Sequence, residues 1–173
     1  PAIAETQRAT LIAAIRRIQR QDLTVVISPH PQNWHLETDP VDRDRLQAFW
    51  RTLAPALRTL DPARTVPEVL NEPVFPHDPA GWASLQHQIL TIIRQALPSD
   101  TVVLTGQDWG SIGGLLALTP EADPNVLYSF HFYDPAELTS LAAYRSGLDR
   151  SALARLPFPA DDRPRCDATA DMS

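Results

Sequence analysis

Lysine is missing from this chain: all fifteen cationic side chains are Arg, which points to GC-rich codon usage rather than to chemistry. Against 21 acidic residues they leave a formal net charge of −6, an acidic balance that argues against a nucleic-acid partner. A single cysteine, Cys166, excludes an internal disulfide and cannot build a multi-cysteine metal site. No apolar run is long enough to cross a membrane, and there is neither an internal repeat nor a low-complexity tract. No secretory leader precedes Pro1. Because Pro1 opens inside a helical pattern, the natural start is expected to be lost, and the missing leader says nothing about secretion.

What is present is a regular alternation in a chain that is 43% hydrophobic. Four short β-prone runs recur: Leu23 to Ser28, Thr65 to Leu70, Thr101 to Thr105 and Asn125 to Phe130. Helical stripes precede the first three: Leu11, Ile15 and Ile18; then Leu46, Phe49, Trp50, Leu53, Leu57 and Leu60; then Trp82, Leu85, Ile89 and Ile93. Strands this continuously apolar, alternating with helices, predict an α/β fold of parallel strands covered by helices. Asp78-Pro79 and Asp134-Pro135 read as N-cap followed by proline at the first helical position, with Glu137 completing a capping box on Asp134. Only the crossover between Thr105 and Asn125 lacks a full helical pattern, so it is expected to be short or irregular. Residues 1–155 form the predicted domain, and 156–173, rich in Pro, Asp and Ala, read as loop or disorder.

Chemistry collects just past the strands. His30 and Trp34 follow the first, Asn71 and Glu72 the second, Gln107 to Trp109 the third, and His131 and Tyr133 the fourth. In parallel α/β folds these positions share one rim, where active sites are built. In Asn71-Glu72-Pro73, Glu72 would project at a strand end beside an amide that can hold a substrate hydroxyl, with proline stiffening the exit. By itself the tripeptide is equally a turn with a solvated glutamate. A carboxylic acid among flat aromatic side chains suits a sugar ring, whose C–H faces stack while its hydroxyls hydrogen-bond.

The stretches VLNEP (69–73), Trp82 with Ile93-Arg94 and Pro98, TVVLTG (101–106) leading to Trp109, and NVLYSFHFYDP (125–135) resemble the cellulase family of glycoside hydrolases, family five. The resemblance runs from about the first strand to the start of the last helix. It implies a (β/α)8 barrel that hydrolyses β-linked polysaccharide with retention, with Glu72 as acid/base, Asn71 binding sugar at the cleavage site, and His131 and Tyr133 lining the same subsite. His30 matches the histidine that the family places after its third strand. The resemblance implies no metal and no cofactor; it implies a β-glucan or related polysaccharide as partner, an endoglucanase by family frequency, and a secreted bacterial protein. The chain also departs from the pattern. Retention needs a nucleophilic carboxylate about 5 Å from the acid, which the family places at the end of strand seven, whereas this chain reads as strands three to six. The early arginine of strand two and the late tryptophan of strand eight have no counterpart. At 173 residues, against the ~250 of such a barrel, an incomplete barrel is expected. Such a piece is expected to be poorly stable or to self-associate through its open sheet edges.

Other readings compete. Gly106-Gln107-Asp108-Trp109-Gly110 has the form of a nucleophile elbow with Asp108 as nucleophile, as in α/β-hydrolases, but little helix can follow it and no histidine comes after His131. An inactive or carbohydrate-binding half-barrel would keep the rim without the nucleophile. His30, between Pro29 and Pro31, can equally shape a rigid loop, and Trp34 and Trp109 can equally pack loops as carry sugar. Trp50 and Trp82 belong to the core, while His35, His77 and His87 read as surface residues. Glu68, four residues before Glu72 and on the same side of the strand, is expected either to pair with an arginine from elsewhere or to be exposed. Pro67 is awkward in a central strand because it cannot donate to the ladder.

Overall fold

The computed structural model describes residues 4–134 together with Thr139, Asp149, Ser151 and Arg155. The chain divides into two units, Pro1–His131 and Phe132–Ser173. The tail 156–173 and the expected Asp134–Glu137 capping box lie outside the described residues.

In the first unit the four apolar runs become four strands, β1 (Val25–Ile27), β2 (Thr65–Pro67), β3 (Val102–Thr105) and β4 (Val126–Ser129). Strands β1 and β2 pair in parallel with Val26 opposite Val66, and β3 and β4 pair in parallel with Val103 opposite Leu127. A parallel bridge between Glu68 and Val103 joins the two pairs, so the strands follow one another in chain order. Helices α1 (Glu5–Gln19), α2 (Pro40–Leu57) and α3 (Pro79–Ala96) fill the intervals. Consecutive parallel strands with helices between them are the building plan of a (β/α)8 barrel, of which four strands are described here.

The helices start where the sequence caps them. Asp39 accepts the Val41 N–H at 2.8 Å and Asp78 accepts that of Gly81 at 2.9 Å, each with proline next in the chain. Their apolar stripes then bury against one face of the sheet: Leu46, Trp50, Leu53, Trp82, Ile89 and Ile93 join Ile27, Val69, Val102 and Leu104 in one core. The other face alternates with it. Val26 and Leu127 lie there and are 56% and 57% exposed. The crossover after β3 is irregular, as its sequence suggests: the turn Gln107–Gly110 leads into a helix of only five residues, Ile112–Leu116.

Pro67 does sit in a central strand. The Glu68 N–H bonds to Ile27 and that of Val69 to Val103, so the backbone alternates sides and the missing donor of Pro67 faces β3 before the β3 ladder begins at Glu68. Glu68 itself meets neither expectation. It is buried, and its Oε1 accepts the Ser129 hydroxyl at 3.3 Å, a neutral partner from the neighbouring end of β4 instead of an arginine.

Candidate active site

Two tryptophans fix the strand ends that carry the site. Trp50 of α2 donates its indole N–H to the Val69 carbonyl at 2.9 Å, and Trp82 of α3 donates to that of Thr105 at 2.8 Å. Both rings are fully buried, as a core role requires, and each spends its one polar atom on the backbone just before a rim loop. Gln86, one turn after Trp82, adds its Oε1 as acceptor for the Thr105 N–H at 2.9 Å.

The loop after β1 is held from α2. Asp42 accepts the His35 N–H at 2.8 Å and the Arg45 guanidinium at 2.7 Å. The His35 hydrogen bond, more than Arg45, keeps its carboxyl below the ordinary 3.8, although burial opposes this. Glu37 of the same loop reaches the start of α3, where its Oε1 accepts the N–H groups of His77 and Asp78, both at 2.7 Å. The loops after β1 and β2 are thus tied together by one backbone-directed carboxylate, that of Glu37. Asn71 adds a further tie, its N–H donating to the Pro29 carbonyl at 3.1 Å.

Between these loops lies an open groove of about 420 Å³. Trp34, Asn71 and Glu72 line it, as do Glu37, His35 and His77. The sequence reading assigned the two histidines to the surface; they are exposed, but exposed into this groove. The available signal was position, since His35 adjoins Trp34 and His77 ends the loop that carries Glu72. His87 is elsewhere, on α3, with its Nδ1 3.0 Å from Glu121.

Glu72 meets His131 directly. Its Oε1 is 2.8 Å from the His131 Nδ1, a contact between the loop after β2 and the end of β4. Both side chains are partly shielded, at 35% and 26% exposure, so the hydrogen bond is neither fully solvated nor sealed from substrate. The backbone at Glu72 is left-handed, with φ at 47°, where a strand end was expected. Proline follows it, and residues before proline favour extended conformations, so the surrounding contacts override local preference.

Trp109 is 58% exposed and, like His30, is not among the residues lining the groove. Its backbone matters nonetheless: the Trp109 N–H donates to the Pro73 carbonyl at 3.1 Å. Asp108 does not stand as a nucleophile above a helix. Its Oδ2 accepts the Ser111 hydroxyl at 3.1 Å and the helix that follows has five residues, which overturns the elbow reading. Tyr133 falls in the second unit, where it is exposed and its carbonyl accepts the Thr139 hydroxyl. Among the described residues no group of three or more His, Cys, Asp or Glu side chains could hold a metal ion.

Known proteins resemble this chain in sequence and fold. A family model described as cellulase (glycosyl hydrolase family 5) matches residues 2–158. Endoglucanase H of Acetivibrio thermocellus is 27% identical over 114 residues, covering 66% of this chain and 13% of that protein. Endoglucanase CelA of Streptomyces lividans is 25% identical over 154 residues, covering 83% of this chain and 30% of that one. Among solved structures, Thermotoga maritima Cel5A in complex with mannotriose aligns with a TM-score of 0.79 at 23% identity, over 98% of this chain and 55% of the other. At that identity the likeness establishes the barrel fold. This chain therefore spans less than a third of the curated relatives and about half of the solved barrel.

Proposed function

This chain belongs to the cellulase family, glycosyl hydrolase family 5, and from that membership we propose that Glu72 is the general acid/base of a retaining hydrolase acting within β-glucan chains. The observation that carries this reading is the 2.8 Å pairing of Glu72 with His131 beside a groove lined by Trp34 and Asn71. In the first step the protonated Glu72 gives its proton to the glycosidic oxygen as that bond breaks and a second carboxylate bonds to the anomeric carbon. In the second step the ionised Glu72 takes a proton from water, whose oxygen displaces the enzyme carboxylate. His131 engages Oε1 and so directs the transferred proton to Oε2. Asn71 offers a side-chain amide to a sugar hydroxyl next to the cleaved bond, and Trp34 a flat apolar face to a ring along the groove.

The nucleophile is proposed to lie outside these 173 residues. Glu37, the other carboxylate lining the groove, has its Oε1 committed to two backbone N–H groups and serves the loop. The glucan preference follows the endoglucanases among the relatives, while mannan stays in the test because a structural neighbour was solved with mannotriose. Replacing Glu72 by Gln in the complete gene product should lower turnover of unactivated β-glucan by roughly 10²–10⁴-fold, with a smaller loss on substrates whose leaving group needs no proton. Normal turnover of unactivated glucan by that variant would sink the assignment. Reducing-sugar release from β-glucan, mannan and xylan by the same gene product decides the substrate, and activity on aryl monosaccharides alone would exclude an endo-acting groove.

A further inference from the structure

We propose that the left-handed turn Asp108-Trp109-Gly110 is the positioning device of the Glu72–His131 pair, with Gly110 as its indispensable residue. The turn touches both halves of the pair through backbone. The Trp109 N–H donates to the carbonyl of Pro73, the residue after Glu72, at 3.1 Å, and the Gly110 carbonyl accepts the His131 N–H at 2.8 Å. One three-residue segment thus sets the separation of two side chains that belong to different strand ends.

Its geometry is unusual enough to need a reason. Asp108, Trp109 and Gly110 have φ of 63°, 55° and 71°, and two of the three carry a Cβ that disfavours this region. The run is stabilised locally: the Ser111 N–H donates to the Asp108 carbonyl at 3.0 Å, the Ser111 hydroxyl to Asp108 Oδ2 at 3.1 Å, and the Gly114 N–H to Ser111 Oγ at 3.0 Å. Glu72, itself left-handed, is held from both sides, by Asn71 N–H on Pro29 before it and by Trp109 N–H on Pro73 after it. A strained backbone persists only where neighbours over-determine it, and this turn supplies one of the two restraints.

Gly110 leaves a side chain little room and holds a backbone conformation that disfavours one. A Cβ there would lie 3.1 Å from Thr105 Oγ1 and 3.6 Å from Cγ of the His131 ring, on backbone that L-residues rarely adopt. Thr105 cannot yield freely, because its hydroxyl donates to the Ser129 carbonyl at 3.1 Å, two residues before His131. A substituent at 110 therefore presses on Thr105, and through its bond to Ser129 on the strand that carries His131, while it meets the imidazole only at ordinary contact distance.

The catalytic consequence rests on the acid/base reading of Glu72, but the positioning itself is measurable without turnover. In this chain the ¹⁵N resonance of His131 Nδ1 reports its hydrogen bond to Glu72, with Glu72→Gln as the reference for a perturbed pair. Gly110→Ala should move that resonance toward the reference, and Gly110→Asn, which tolerates left-handed backbone better, should move it less. In the complete gene product Gly110→Ala should lower kcat on β-glucan about a hundredfold with KM little changed, as expected when a catalytic group is displaced by a fraction of a bond length. A folded Gly110→Ala protein with the parent resonance and parent kcat would overturn the proposal. Should Gly110→Ala fail to fold, Ser111→Ala loosens the same turn without adding atoms; it must shift the resonance in the same direction, and a parent spectrum refutes the proposal. If Glu72→Gln keeps full activity while Gly110→Ala still moves the resonance, the acid/base reading fails and the positioning role stands.

Discussion

Glu72 stands left-handed directly before a proline, and this conformation was the least legible part of the site. Its candidacy could be read from the sequence only through its company, since Asn71-Glu72-Pro73 alone reads as well as a turn with a solvated glutamate and the other strand-end residues and the family resemblance single it out. Its φ could not, because local preference before proline points to extended backbone and only the ties to Pro29 and Trp109 reverse it. The same holds for Glu68, whose partner Ser129 is 61 residues away and has no charge to announce it. The strain at Glu72 makes a prediction that inverts the usual order of two substitutions. Glycine ordinarily destabilises relative to alanine, yet at this φ glycine relieves strain that alanine keeps. Glu72→Gly should therefore be more stable than Glu72→Ala by about 1 kcal/mol in urea unfolding, both lacking the His131 contact equally. Alanine equal to or more stable than glycine would show that Glu72 is not strained.

Among the elements, the three long helices were legible because each buries one face and the sequence period records it, and the strands because short continuous apolar runs recur between them. The turn Gln107–Gly110 was seen only as irregular, since hydrogen bonds from backbone to backbone leave no mark on side-chain identity. Trp50 and Trp82 were legible as core, while their indole bonds to the strand ends were not. Truncating the second to Trp82→Phe should cost about 2 kcal/mol or more, from lost packing and an abandoned donor to Thr105, and should also loosen the loop that begins at Gly106. Faster amide exchange confined to that loop would report it; unchanged exchange with unchanged stability would show that the bond contributes nothing. A second joint lies at the other ends of the strands. Arg94 of α3 donates to the Asp100 carbonyl at 2.6 Å, to the Asn125 carbonyl at 3.0 Å and to both oxygens of Asp123, tying the entries of β3 and β4 to one guanidinium. The Arg94 hydrogen bond holds the Asp123 carboxyl below its ordinary 3.8. A depressed carboxyl contributes stability that is present above the unfolded value and lost as pH falls through the folded one, so Asp123, together with Asp42, should weaken the fold below about pH 4. Asp100 acts in the opposite sense: burial raises its carboxyl, and its ionisation lowers stability as pH climbs from 3.8 to the raised value. Arg94→Gln should destabilise by roughly 2 kcal/mol near neutrality and flatten the acid limb of the stability curve. An acid limb as steep as the parent's would place its origin elsewhere.

At the scale of the whole molecule, the first unit has a sheet with one face covered by helices and the other bearing Val26 and Leu127 more than half exposed. Among the described residues β1 and β4 each pair on one side only, and a parallel barrel sheet buries both of its faces. The family resemblance in the sequence anticipated this half-built arrangement through the count of strands. The count is informative because each strand end of a barrel delivers different chemistry, and the proposed acid, Glu72, stands at one end while the nucleophile is proposed to come from another. Two outcomes follow for the purified 173-residue chain. It should self-associate, since exposed sheet edges and apolar interior positions are favourable surfaces for another chain, and sedimentation should show a concentration-dependent shift above the monomer. It should also fail to hydrolyse β-glucan, because Glu72 alone can neither form the glycosyl-enzyme nor activate water from the opposite face of the sugar. Supplying in trans the polypeptide that completes the barrel should restore turnover, and that turnover should disappear with Glu72→Gln. Turnover by the chain alone, lost in Glu72→Ala, would require a second carboxylate within reach of Glu72 in these residues, and Glu37, which shares its groove, would be the first to replace.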